Sequence, residues 1–184
     1  MNQTQLNKKF DKRDFNAGAS SFKIAVWYFT SMLLFRSGLI PFSVILVAIL
    51  RLFGAKIGKD TRIKPYVNIK YPWKLEVGDH SWIAECHIEN LSYVRIGKNV
   101  CLSQGCMILA GNHDYTKNTF DLITRDIVLE DGVWIAARAV VCPGVTVHSH
   151  AVLTVNSVAS KDLEAYSIYC GIPAVKIRDR KILN

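Results

Sequence analysis

The sequence predicts a mainly β chain wound as a parallel β-helix, and three observations carry that prediction. Leu129, Ile135, Val141, Val147 and Leu153 recur at every sixth position. Four residues after each stands a small or β-branched side chain: Val133, Ala139, Val145, Ala151 and Ser157. The same period runs upstream in degraded form, from Ile57, Ile63 and Ile69 through Val77 and Ile83 to Ile96, Leu102 and Ile108, with Thr61, Val67, Val100 and Cys106 as the small residues. An α-helix cannot place every sixth residue on one line, and a plain strand has no reason to require a small residue at every fifth place of six. A coil of very short parallel strands satisfies both, stacking aliphatic on aliphatic at about 4.8 Å. An antiparallel β domain with chance spacing is the alternative.

The elements follow in order. Residues 1–21 are polar, carry Lys8, Lys9, Lys12 and Arg13, and read as a flexible arm. Residues 22–53 are strongly apolar, in two runs, Ile24 to Phe35 and Leu39 to Leu50, broken by Arg36, Ser37, Gly38 and Pro41. Each run is short of the roughly 20 residues that span a bilayer, so two helices joined by a bend are expected ahead of a re-entrant hairpin. Two roles suit them: capping the exposed first coil, or holding the protein as a peripheral contact on the inner face of a membrane. Residues 54–184 form the β-helix, with a C-terminal tail at 160–184. The phase slips by one residue between Ile83 and Ile96, and a longer break, 110–126, separates Ile108 from Leu129. A loop expelled from a regular coil is a place where a site can be built.

With 184 residues, half of them apolar, the chain is long enough for one domain with a substantial core. A net charge of +8 favours anionic partners without choosing among them. Cys86, Cys101, Cys106, Cys142 and Cys170 lack C-x-x-C spacing and read as small hydrophobes, and with no signal peptide visible a reducing cytoplasm is the expected compartment. No metal is expected: resemblance to a γ-class carbonic anhydrase would imply three histidines around zinc, two of them five residues apart on one coil, whereas His80 and His87 differ by seven and His148 and His150 by two.

His113 is the candidate for chemistry. It stands in Ala110-Gly111-Asn112-His113-Asp114, at the exit of the loop from the coil. Imidazole trades protons near neutral pH, so a histidine held there by a rigid scaffold can serve as a general base; the plain alternative is a solvated loop histidine. His87 falls at a fifth position and is expected to point inward, while His80, His148 and His150 read as exposed corner residues.

Several segments carry a family resemblance. Ile57 to Asp60, the Asn112-His113-Asp114 step, Val133-Trp134-Ile135-Ala136, Cys142-Pro143-Gly144-Val145-Thr146 and Gly171-Ile172-Pro173-Ala174 together resemble the hexapeptide-repeat acyltransferases. Leu52 to Gly58 and Tyr71-Pro72-Trp73-Lys74-Leu75 are similar to the colanic-acid-biosynthesis type of O-acetyltransferase. The tail from Trp134 to Arg178 is shared with galactoside and maltose acetyltransferases.

The resemblance implies a left-handed coil, against the usual right-handed crossover, a homotrimer with sites between subunits, and acetyl-CoA as co-substrate. It implies His113 as the base, oriented by Asp114 or by a backbone carbonyl, with a backbone N–H near Ala137 facing the oxyanion. Trp134, Ala137, Val155, Ser160, Lys161 and Arg178 are the implied cofactor-binding residues, with Lys176 a substitute where Val175 replaces a basic residue, and Glu85 is the implied acceptor contact. The acceptor is expected to be a sugar, nucleotide sugar or lipid-linked glycan in surface polysaccharide assembly, with no nucleic acid partner. A non-catalytic scaffold and a serine or other small-molecule acetyltransferase are the competing functions.

Overall fold

A computed structural model of the chain describes residues 3–6 and 15–183. Its body is a left-handed parallel β-helix of about six turns. The first face stacks Lys56–Ile57, Leu75–Val77, Val94–Ile96, Ile127–Leu129 and Thr146–Val147. The second stacks Arg62–Ile63, Trp82–Ile83, Cys101–Leu102, Trp134–Ile135, Val152–Leu153 and Ser167–Gly171, and ends in the antiparallel strand Ala174–Asp179. The third stacks Asn68–Ile69, His87–Glu89, Met107–Leu109, Val140–Val141 and Val158–Ala159. The repeat's aliphatic residues form three inward columns, such as Ile63, Ile83, Leu102, Ile135 and Leu153, all buried. Each such side chain contributes roughly 1.5–3 kcal/mol.

The corners explain the small fifth residue. Asp60, His80, Asn99, Arg138, His150 and Asn156 take positive φ, as do Gly105, Gly132 and Gly144. The next residue in each case, from Thr61 and Ser81 to Ala151 and Ser157, is buried. The chain therefore turns through the left-handed region and tucks one side chain into the inside of the bend, where only a compact group fits.

One step of the repeat is shortened, from Ile83 to Ile88, and this corrects the expectation for His87. Cys86 takes the inward corner place and is buried. His87 instead lies on the outside of the third face, accepting from Asn68 Nδ2 at 2.8 Å through Nδ1 and facing Glu89 Oε2 at 2.9 Å through Nε2. His80 is an exposed corner residue. His148 and His150 are also at corners but half-buried: His148 contacts Glu130 at 3.0 Å, and His150 stacks under Tyr166 with centroids 4.7 Å apart.

Two helices close the N-terminal end. Helix α1 (Ser21–Thr30), capped by the Ser20 hydroxyl, runs on into a π-helical segment, Ser31–Arg36; after a bend at Ser37 to Phe42 comes α2 (Ser43–Leu52). They satisfy main-chain groups of the first coil that no further coil pairs. Trp27 Nε1 donates to Ile69 O at 3.0 Å, Ile63 N donates to Ser43 Oγ at 2.8 Å, Arg51 donates to Ile57 O and Gly58 O, and Tyr66 N donates to Phe35 O at 2.7 Å. Capping is thus a structural fact.

Of the polar stretch 1–21, residues 1–2 and 7–14 lie outside the described residues. Residues 15–20 lie against the coil: Trp73 Nε1 donates to Ala17 O at 2.6 Å, the Lys74 ammonium bridges Asn16 O and Leu91 O, and Phe15 lies against Tyr71. Burial holds the Lys74 amine below its ordinary pKa.

Candidate active site

The excursion 110–126 leaves the coil at the edge between the third and first faces and folds back as a short antiparallel hairpin, Gly111–His113 against Leu122–Thr124. Arg125 N–H donates to Ala110 O at 3.0 Å, and Asp126 accepts from Tyr93 N–H and Arg95, so both ends of the excursion are anchored. His113 is half-buried at the end of the first strand, opposite Leu122.

The histidine is held in one tautomer. Its Nδ1 lies 2.9 Å from Phe120 O, and its ring stacks on the Phe120 ring with centroids 4.5 Å apart and planes 10° from parallel. A carbonyl can only accept, so the proton sits on Nδ1 and Nε2 keeps its lone pair. Of the two candidate orienters, a carbonyl holds the ring and Asp114 does not. The Asp114 carboxylate is engaged by the Thr116 hydroxyl at 2.5 Å and by the Thr116 N–H, and these bonds keep it below the usual carboxylate range. Phe120 itself takes φ +53°, which turns its carbonyl toward the imidazole side of the hairpin. Nothing in the sequence marks that carbonyl; only the strand pairing reveals it.

The other predicted site residues fall into two groups. Ser160 and Lys161 lie exposed just past the third face, on the edge from which the His113 hairpin springs, two coils further on. Glu85, Ala137 and Val155 line the edge between the second and third faces, joined as a column by Gly105 N to Glu85 O, Arg138 N to Gln104 O and Asn156 N to Ala137 O. Trp134 lies on the second face with its Nε1 donating to Ser103 Oγ at 2.9 Å, and Arg178 pairs with Ile168 on the same face. Ser103, one coil below Trp134, was missed by sequence reasoning; the ladder register locates it.

In a three-sided coil the third-to-first edge is opposite the second face. The structure brings His113, Ser160 and Lys161 to one edge and Trp134, Ala137, Val155 and Arg178 to the other side of the same chain.

The polar groups differ in how free they are. The amides flanking Ala137 are used, Ala136 N donating to Leu153 O and Arg138 N to Gln104 O, whereas the Ala137 N–H has no intrachain acceptor among the described residues. Lys161 and Arg178 have no ion pair among the described residues, but Lys176 is clamped by Glu164 and Asp179 at 2.9 Å each. Those two carboxylates raise its pKa well above the ordinary lysine value. Lys176 is therefore already ion-paired within the chain, unlike Lys161 and Arg178 among the described residues. Among the described residues, no group of three His, Cys, Asp or Glu side chains is placed to hold a metal ion.

No protein-family model matches the sequence. The chain is 39% identical over 133 residues to WcaF of Escherichia coli K12, a protein whose name assigns it to colanic acid biosynthesis as an acetyltransferase; the match covers 72% of this chain and 73% of that one. The chain belongs to the hexapeptide-repeat acetyltransferases. Solved structures agree in fold. A hexapeptide-repeat acetyltransferase of Vibrio cholerae, determined with acetyl-CoA, superposes with a TM-score of 0.79 at 22% identity, covering 90% of this chain and 92% of that one. A maltose O-acetyltransferase of Clostridium difficile gives 0.79 at 22% identity, covering 88% of each. As a member of this family the chain is an acetyltransferase, which sets aside the non-catalytic scaffold.

Proposed function

We propose that this protein transfers the acetyl group of acetyl-CoA to a sugar hydroxyl of a glycan precursor used in surface polysaccharide assembly, as a homotrimer whose clefts lie between copies. The observation that carries the reading is the Phe120 carbonyl on His113 Nδ1, which leaves Nε2 as a proton acceptor on a hairpin standing clear of the coil. Kinship with WcaF supports a polysaccharide acceptor.

A sugar hydroxyl is a poor nucleophile at neutral pH. In the proposed reaction His113 Nε2 takes its proton as the oxygen attacks the thioester carbonyl, and the uncommitted Ala137 N–H faces the developing oxyanion. A donor so aimed is typically worth about 2.7–4 kcal/mol. Collapse of the tetrahedral intermediate breaks the C–S bond, and the imidazolium returns the proton to the departing CoA sulfur. No acyl-enzyme is needed. Trp134 and Val155 would flank the pantetheine arm, Ser160 would hydrogen-bond the cofactor, and Lys161 and Arg178, without an ion pair among the described residues, would meet its phosphates. Glu85, exposed on the same edge as Ala137, would contact the acceptor.

The two groups of residues lie on opposite sides of one chain, so a cleft that uses both needs a second copy. That is the support for the trimer.

The test is release of CoA thiol by purified protein with a panel of nucleotide sugars and lipid-linked sugars. His113→Ala should lower the rate by about 10²–10⁴-fold on any acceptor that responds. His113→Asn, which keeps a donor for Phe120 O and lacks the base, should fall equally while retaining the fold. Equal rates for wild type and His113→Ala would overturn the assignment.

A further inference from the structure

The helical cap has a second face with no partner in the chain. On α1 and the π segment the residues turned toward the coil are Trp27, Ser31 and Phe35, all buried, and on α2 they are Leu46, Val47 and Leu50. A cap that met only water would carry polar residues on its outer side. Here the outer stripe of the first helix is Phe22, Val26, Phe29 and Leu33, at i, i+4, i+7 and i+11, with Phe22 80% exposed, Phe29 61% and Leu33 59%. The outer stripe of α2 is Val44, Ile45, Ala48 and Leu52, with Val44 80% exposed and Leu52 82%. Both stripes lie at one end of the prism.

Charge selects the occupant. From Phe15 to Lys59 the sequence contains no Asp or Glu, while Lys23, Arg36, Arg51, Lys56 and Lys59 fall in that interval. Lys56 is paired with Glu76 at 2.7 Å, and the exposed Asp60 lines the same cavity as Val44 and Arg51. The balance is nonetheless cationic, and large apolar side chains fringed by an excess of cations match a leaflet of anionic lipid, whose acyl boundary takes the apolar groups and whose headgroups take the charges. A second copy fits less well. Docked face to face, it would set each cationic fringe against its own duplicate, and docked head to tail it would build an open fibre. Among the described residues no helix is long and apolar enough to cross a membrane, so the contact would be in-plane.

We infer that the α1–α2 end of the protein seats on an anionic lipid surface, with Phe22, Phe29, Leu33, Val44 and Leu52 entering the interface. The inference stands on the cap alone and does not depend on the acetyl-transfer reading. Deleting residues 1–50 would be a poor test, because it would strip the caps from the first coil. The better variant is Phe29→Ser/Leu33→Ser, at exposed positions, monitored by thermal melting to confirm an unchanged fold.

Wild type should co-sediment with phosphatidylglycerol-rich vesicles, more weakly with pure phosphatidylcholine, and less as salt is raised. The double variant should bind at least about tenfold more weakly at an unchanged melting temperature. Failure of wild type to sediment with the anionic vesicles would overturn the inference, as would equal binding by the variant. So would a wild-type end-to-end assembly in analytical ultracentrifugation that the same substitutions abolish, since that would give the face to a second copy.

Discussion

At the scale of single residues the chain separates cations that are committed from cations that are available. Lys176 sits on the terminal strand next to the face that carries Trp134, and its charge alone would make it a phosphate ligand. Its Nζ is instead shared between Glu164 and Asp179. Recruiting it to a phosphate would mean breaking two charged contacts to make another. Lys161 and Arg178 face no such cost. Replacing either by Ala should therefore raise the KM for acetyl-CoA about tenfold, the size of a charge-assisted hydrogen bond lost at a partly solvated site, with kcat little changed. Lys176→Ala should leave KM within about twofold. Initial-rate kinetics with acetyl-CoA varied at saturating acceptor reads this directly, and a KM effect confined to Lys176→Ala would reverse the assignment. The orientation of His113 belongs to the same scale: its decisive partner is a main-chain oxygen, which no residue identity encodes.

At the scale of elements, the coil was legible in the sequence because its constraint is repeated. Every turn demands an aliphatic residue on each face and a compact one at each corner, so five consecutive hexads from Leu129 to Ser157 identify the winding. What escaped sequence reasoning was local or non-local. The step from Ile83 to Ile88 lacks one residue, and a strict count of six therefore turned His87 inward in place of Cys86. The docking of residues 15–20 depends on Trp73 and Lys74, some 56 positions away for the Trp73–Ala17 bond, and leaves no periodic trace. The spacing of coils supplies a prediction. Gly78 follows the first-face strand Leu75–Val77, and a Cβ there would lie 2.6 Å from the main-chain carbon of Gly97 in the next coil. Backbone cannot swing aside as a side chain can. Gly78→Ala should cost on the order of 1–3 kcal/mol, the range of overpacking in a close-packed interior, and lower the midpoint of denaturant unfolding without changing its slope. An unchanged midpoint would mean that neighbouring coils have more freedom than their stacking indicates.

At the scale of the whole molecule, the triangular cross-section turns a list of site residues into a question of stoichiometry. From the sequence, the candidates could be named but not sorted, because sorting requires knowing which edge each occupies. In the fold His113 and Lys161 share one edge, while Trp134 and Arg178 lie on the face opposite. If the proposed trimer forms each cleft from the hairpin of one copy and the second face of the next, two inactive chains can repair one another. Co-expression of His113→Ala with Trp134→Ala/Arg178→Glu, each carrying a different tag, and purification through both tags would yield only mixed trimers. Around a cyclic trimer of either composition, 2:1 or 1:2, one junction in three joins an intact hairpin to an intact face, so activity should return to about a third of wild type. Homotrimers of either variant should stay near background. Mixed trimers no more active than the homotrimers would place all the working residues of each cleft on a single chain, and the hairpin would then have to reach around its own prism to the second face.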